Sequence, residues 1–256
     1  MQRVHTVDLA AFDRSKYTAR YLYQGESCVI IASLVPAGKP AYQHHRHEQC
    51  DQLYYIVQGE MHVQLGDTEH VAGPNSIVHI PKGLPHHNWN EGDVDEFHLE
   101  VLAPAPRPNL PLATPTGDTD PAGLAATVRV LDESSFAESA RFPGFSLNHV
   151  LQNPSPSAHA AMYVGMVQPG SGGPGTHVHA FDQFYFVLAG ELSVEVGLER
   201  FTVQPGSLVT IPAGVPHRQW NDGTSVERHI ALNTPTPEAG KPLDIGVDFA
   251  TNGEVI

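Results

Sequence analysis

One constellation of residues is written into this chain twice, and a chain that repeats a long pattern folds as copies of one unit. Gly38, His45, His47, Gln52, Gly59, Pro81, Gly83, His86 and Asn90 return in the same order as Gly170, His177, His179, Gln183, Gly190, Pro212, Gly214, His217 and Asn221. From Gln52 onward the copies align at a constant offset of 131 residues, and ahead of the cluster the offset is 132. One residue is therefore lost between His179 and Asp182, a loop-type change that leaves the flanking strands in phase.

With 256 residues, each half is long enough to bury its own core. The repeat reaches the opening strands, where Val7-Asp8 followed by Phe12 resembles Leu131-Asp132 followed by Phe136. Between the halves, residues 105–124 are rich in Pro, Thr and Gly, the composition of an extended, semi-rigid connector. The expected units are 1–104, the connector 105–124, and 125–256. Inside each unit, short runs such as Cys28 to Val35, Leu53 to Val57, Met61 to Leu65 and Ile77 to Ile80 are β-branched and aromatic, punctuated by Gly, Pro and Asn. Charged residues are only 16% of the chain, with 23 Gly and 22 Pro, a turn-rich β profile. The fold class expected is all-β: two tandem antiparallel β-barrels or jelly rolls with little helix.

A net charge of -14 with 14 Lys plus Arg excludes the clustered basic surface of a nucleic-acid binder. The N-terminal residues lack the apolar run of a secretory signal, and no stretch of eighteen apolar residues suits a membrane span. Cys28, in an apolar run, and Cys50 do not make a disulfide framework. A cytoplasmic protein acting on a small molecule, with neither nucleic acid nor membrane as partner, is the expectation.

The chemistry sits in the repeated cluster. On a strand side chains alternate, so His45 and His47 share a face, as do His177 and His179. His86 and His217 follow an Ile-Pro-x-Gly-x-Pro turn that fixes the backbone ahead of them. Three imidazoles and an amide oxygen at matched spacing predict a divalent transition-metal site in each half, with Fe, Ni, Co, Mn or Zn all suited. The ligand sets are His45, His47, Gln52 and His86, and His177, His179, Gln183 and His217. Asp51 and Asp182 stand one residue out of register, on the opposite strand face.

These residues resemble the two motifs of the cupin superfamily, and the resemblance covers nearly the whole chain, which looks like a bicupin. The second half carries the second motif completely, from Gly206 through Pro212, Gly214 and His217 to Asn221; in the first half Asn75 replaces the opening glycine, and Asn also tolerates a left-handed turn. Where most metal cupins have glutamate, this chain has Gln52 and Gln183. Neutral ligands leave the ion its full +2 charge, a stronger Lewis acid, and remove the base that quercetin dioxygenases, similar in fold, draw from that glutamate. Cupins with three histidines and a glutamine include isomerases and a polyketide cyclase, and cupins often pair through barrel edges, so a homodimer is also implied.

Any proton transfer then needs a base from elsewhere in the barrel. His98 and His229 are equivalent on the last strand, Glu100 shares the face of His98, and its counterpart is Ala231. Tyr54 and Tyr185 face the same way as the glutamines and are candidate hydrogen-bond donors to substrate. Barrel packing is the simpler role for all four ring residues. His44, His62, His79 and His87 lack histidine counterparts and are expected in loops or on the surface, with His79 and His87 at a substrate mouth; Trp89 and Trp220 are expected to close each barrel. The favoured reading is an enzyme that isomerises, cyclises or cleaves a chelating keto acid, enol or phenol. A dioxygenase of an enol or phenol and a non-catalytic metabolite-binding protein stay open beside it.

Overall fold

The run Asp51–Gln58 shows how sequence dictates the architecture. Gln52, Tyr54 and Ile56 project to one side of this strand and Leu53 and Tyr55 to the other, and all five are buried. A strand buried on both faces lies between two layers. Tyr54 and Ile56 pack with Met61, Val63 and Val78 inside the first barrel. Leu53 and Tyr55 join a core shared with Met162, Phe184, Phe186 and Leu232 of the second half. The matching strand, Asp182–Ala189, turns Tyr185 and Val187 inward and Phe184 and Phe186 toward that shared core. The barrels therefore meet through the outer faces of their larger sheets.

A computed structural model describes residues 2–151 and 156–248; the last residues of the expected second unit, 249–256, lie outside them. The regular structure of the described chain is nearly all β, in four antiparallel sheets, two per barrel. Two single-turn 3-10 helices, Leu9–Ala11 and Glu133–Ser135, are capped by the side chains of Asp8 and Asp132. No helix among the described residues is long and apolar enough to cross a membrane. The fold is the pair of tandem antiparallel jelly rolls that the sequence implied.

Hydrogen bonding also crosses between the halves. Val4–Thr6 pairs with Ser207–Ile211 of the second barrel, and Thr127–Val130 pairs with Ser76–Ile80 of the first. Each half thus donates a short strand to the edge of the other's larger sheet, covering an edge that would otherwise be open. Within the connecting segment, Thr114–Pro115 pairs with His45–Arg46, and at the chain's other end Ile245–Gly246 pairs with His177–Val178 in the same way.

The motif turns hold the strands that carry the site. Gly59 and Gly190 have positive φ, and a Cβ there would come within 2.6 Å of the Asp95 carbonyl oxygen and 2.5 Å of that of Val226. Only glycine fits so close a backbone approach. Asn75 adopts φ +64 where Gly206 adopts +80, so the left-handed turn is kept through the Asn replacement.

Candidate metal centres

His45 and His86 face each other across paired strands, as do His177 and His217. In each barrel the three imidazoles, His45, His47 and His86 or His177, His179 and His217, are buried and offer nitrogens all within 4.8 Å of one another. These six residues are thus brought together as two triads that could hold a metal.

The tautomers are set by backbone carbonyls. Nδ1 of His45, His47 and His86 lies 2.7, 2.7 and 2.8 Å from the oxygens of Gln43, Leu112 and Leu84. The second triad repeats this with Gly175, Leu243 and Val215 at 2.7, 2.7 and 3.0 Å. A carbonyl only accepts, so each Nδ1 carries the proton and each Nε2 presents a lone pair. Burial, reinforced by the neighbouring imidazoles, lowers the pKa of His45 to about 4 and that of His217 to about 3. His86 is held well below the ordinary histidine value for the same reasons, and His179 is lowered chiefly by burial. These four shifts favour the neutral ring.

Each glutamine lines the same cavity as the first two histidines of its triad. Gln52 Nε2 donates to Glu100 Oε1 at 2.6 Å, and Gln183 Nε2 donates to Asn233 Oδ1 at 3.0 Å. Carboxylate and amide oxygens take the NH2 groups, which leaves Gln52 Oε1 without a partner and Gln183 Oε1 accepting from the Tyr185 hydroxyl. In the second barrel Gln183 Oε1 lies 3.1 Å from His217 Nε2, so two acceptors confront each other with no hydrogen between them. In the first barrel Gln52 Oε1, His47 Nε2 and His86 Nε2 are buried without a hydrogen-bond partner, as is His179 Nε2 in the second. Buried polar atoms are ordinarily satisfied. Opposed and orphaned lone pairs on N and O donors are what a first-row divalent cation resolves, so the residues fit such an ion.

Other candidates divide between the barrels. His98 and His229 are each 1% exposed, and Nδ1 of each contacts both carboxylate oxygens of a buried glutamate, Glu96 or Glu227, at 2.9 to 3.0 Å. Burial pushes the His98 pKa down, but the charge and hydrogen bond of Glu96 outweigh it and the net shift is upward. Glu100 lines the first cavity beside His98, Tyr54 and Gln52. Tyr185 donates its hydroxyl to Gln183 Oε1 at 2.7 Å, orienting the carboxamide, and burial raises the pKa of both Tyr54 and Tyr185. The cavities differ in size: about 320 Å³ in the first barrel and about 80 Å³ in the second.

Several expectations need correction. His79 is 2% exposed, lies 3.5 Å from Asp51 and lines neither cavity, because the strand Ser76–Ile80 turns it toward the junction between the halves. His87 stacks on Trp89 away from the first cavity, at 4.8 Å. Trp89 and Trp220 are half-buried, with indole nitrogens donating to Glu91 and Asp222, and Arg200 and Arg218 lie over Trp220. They cover outer sheet faces rather than close the barrels. Asp51 and Asp182 do face away from the triads, accepting from Ser157 and Ser27 of the opposite half at 2.6 Å each.

Sequence reasoning missed Glu96 and Glu227, although Glu-x-His recurs as Glu96-Phe97-His98 and Glu227-Arg228-His229. It also missed the Leu112 and Leu243 carbonyls, whose only trace is the repeated Pro111-Leu112 and Pro242-Leu243.

Comparison with known proteins places these features among relatives. The cupin domain family, Cupin_2, matches residues 33–102 and 163–230, one stretch in each barrel. Protein SchB of Streptomyces halstedii is 33% identical over 85 residues, 32% of this chain and 62% of that protein. An uncharacterised protein of Streptomyces coelicolor is 48% identical over 40 residues, 16% of this chain and 38% of that protein. The chain thus spans less than two thirds of either of these curated relatives. Among solved structures, an oxalate decarboxylase variant of Bacillus subtilis superposes with TM-score 0.67 at 14% identity, covering 91% of this chain and 77% of that one. AerE of Microcystis aeruginosa gives TM-score 0.65 at 13% identity, covering 91% and 97%.

Proposed function

The chain belongs to the cupin domain family, and on that premise we propose that it is a metal-dependent enzyme whose first barrel converts a small oxygenated organic molecule by proton transfer. The observation that carries the metal requirement is the set of opposed and orphaned donor atoms, above all Gln183 Oε1 facing His217 Nε2 at 3.1 Å. His45, His47, His86 and Gln52 would hold one ion and His177, His179, His217 and Gln183 the other. Such an ion, bound by neutral ligands, supplies Lewis acidity toward a substrate oxygen.

The rest of the chemistry belongs to the chain. The first cavity, about 320 Å³, accommodates a small organic molecule beside the triad. Glu100, 7% exposed, fixes the Gln52 carboxamide and stands in the same cavity as a proton acceptor. Glu96 holds Nδ1 of His98, which leaves His98 Nε2 as the second proton-handling atom. Neither Lys nor Arg lines this cavity, so an enol, phenol or neutral carbonyl compound suits it better than a polyanion. Isomerisation, cyclisation or lyase-type enolisation fits a site with two proton carriers.

The test is a turnover assay of zinc-, cobalt-, nickel-, manganese- and iron-loaded protein against a panel of enols, phenols and keto acids, with an oxygen electrode in the cell. Turnover without oxygen uptake is expected. Stoichiometric oxygen consumption would replace proton transfer with dioxygenation, and tight binding without turnover under every metal would leave a metabolite-binding protein.

A further inference from the structure

Tyr21, Tyr42 and Leu112 are large apolar side chains left 54%, 43% and 36% exposed. All three line the first cavity, so they form a collar where it opens to solvent. They come from separate parts of the chain: the strand Thr18–Gln24, the loop ahead of His45, and the connecting segment before Thr114–Pro115. Apolar surface gathered from three segments around a cavity is the mark of a ligand site, because leaving it in water costs free energy that a bound molecule recovers. The collar is not repeated. Strand register equates Tyr21, opposite Ile31, with His149, opposite Tyr163, and the offset of 132 equates Tyr42 with Pro174. The tyrosine pair therefore belongs to the first barrel alone.

The interiors differ in the same sense. Ile31 lines the first cavity where Tyr163 lines the second, and Tyr163 is buried with its hydroxyl accepting from Asn233 Nδ2 at 3.2 Å. A ring of the protein's own thus occupies the second barrel and leaves about 80 Å³, while the first keeps about 320 Å³. A cavity of about 150 Å³ admits one benzene ring, so the first barrel has room for a ring together with a chelating head and the second has room for neither. Tyr42 stands edge-on to His45, with centroids 5.0 Å apart and planes at 86°, so the collar begins at the triad and one small molecule can touch both. Resting on the reading of the first triad as a metal centre for an enol or phenol, we propose that its substrate bears an aryl group: a chelating pair of oxygens at the triad and an aromatic ring lodged among Tyr21, Tyr42 and Leu112. Such a ring removes the collar's apolar surface from water along with its own and packs edge or face against the tyrosines. A short aliphatic keto acid would reach the triad and leave the collar wet.

Acetylacetone and benzoylacetone carry the same enolisable β-dicarbonyl head, and only the second has a phenyl ring. Their binding to the cobalt-loaded full-length chain, followed by visible absorption and calorimetry, tests the proposal. Benzoylacetone is expected to bind about tenfold more tightly or better, the gain from burying one ring. In Y21A and in Y42A that ratio should fall to about threefold or less, since each removes one wall of the collar. Tyr42 touches a triad histidine, so Y42A is compared at equal cobalt content; Y21A, at an exposed strand position, keeps the comparison open should Y42A lose cobalt. Equal affinity of the two diones in wild type, or a preference for benzoylacetone that survives both substitutions, would overturn the aryl reading and leave the enol-binding centre standing. Failure of both diones to bind the cobalt-loaded chain would overturn the enol reading on which it rests.

Discussion

The first barrel has a cavity of about 320 Å³ beside its triad and the second one of about 80 Å³, yet the triad imidazoles and their supporting carbonyls correspond one for one. What differs is the layer around them. The first has Glu100 against Gln52 and a free-standing Gln52 oxygen; the second has Asn233 against Gln183 and the Tyr185 hydroxyl on its oxygen. A repeated scaffold has kept the donor geometry twice while the surroundings have diverged, as expected when fold fixes where a site is and side chains fix what it does. The proposed reaction is therefore placed in the first barrel.

The largest effect expected is functional. E100Q should lower turnover about a hundredfold, the size of a lost general base, with bound metal unchanged. The equivalent position in the second barrel is already Ala231, so A231S should leave turnover alone. Equal losses from the two, read by steady-state kinetics, would erase the distinction between barrels.

E96Q removes one partner of a buried pair, a change that costs about 3 kcal/mol. The His98 pKa in the folded chain is raised overall, burial lowering it and Glu96 more than restoring it. The pair therefore stabilises fully below the unfolded value of about 6.5 and loses that contribution as pH rises through the folded value. Denaturant unfolding should show a larger deficit for E96Q near pH 6 than near pH 9. A deficit that grows with pH would show that the imidazole is not the cation of the pair.

Gly165 and Ser33 are equivalent positions beside His229 and His98. A Cβ on Gly165 would lie 2.8 Å from His229 Cε1, so G165A should cost about 2 kcal/mol through overpacking. S33A, which shortens an existing side chain, should cost less. Thermal unfolding of the pair measures how differently the two histidine rings are seated.

The smallest effect concerns the junction between the halves. Asp182 accepts from Ser27 Oγ and Ala213 N; Asp51 accepts from Ser157 Oγ and Lys82 N and also has His79 at 3.5 Å. D182N should cost about 1 kcal/mol and D51N slightly more at pH 7. Burial pushes Asp51 up, but these donors prevail and hold its pKa at about 2. That contribution is present above the unfolded value of about 3.9 and disappears as pH falls through about 2, so D51N and wild type should converge in acid.

Much of this was legible beforehand because strand alternation and a fixed offset act on side chains close in sequence. His45 and His47 sit two apart on one face, and Gln52 is in register with Gly59. The Asn75 turn was legible for the same reason. The Leu112 and Leu243 carbonyls were not, since backbone atoms leave no side-chain pattern and they reach histidines 65 and 64 residues away. The exchange of Val4–Thr6 and Thr127–Val130 between barrels was hidden too, because strands of 3 and 4 residues pair wherever an edge lies open. His79 was misplaced because its burial depends on a contact between the halves.

The most direct test is to count transition metal on the full-length chain by mass spectrometry after metal incubation and dialysis, for wild type, H86A and H217A. Two equivalents per chain are expected in wild type and one in each variant, with circular dichroism unchanged. A folded wild-type chain that emerges from the same treatment empty would contradict the paired centres.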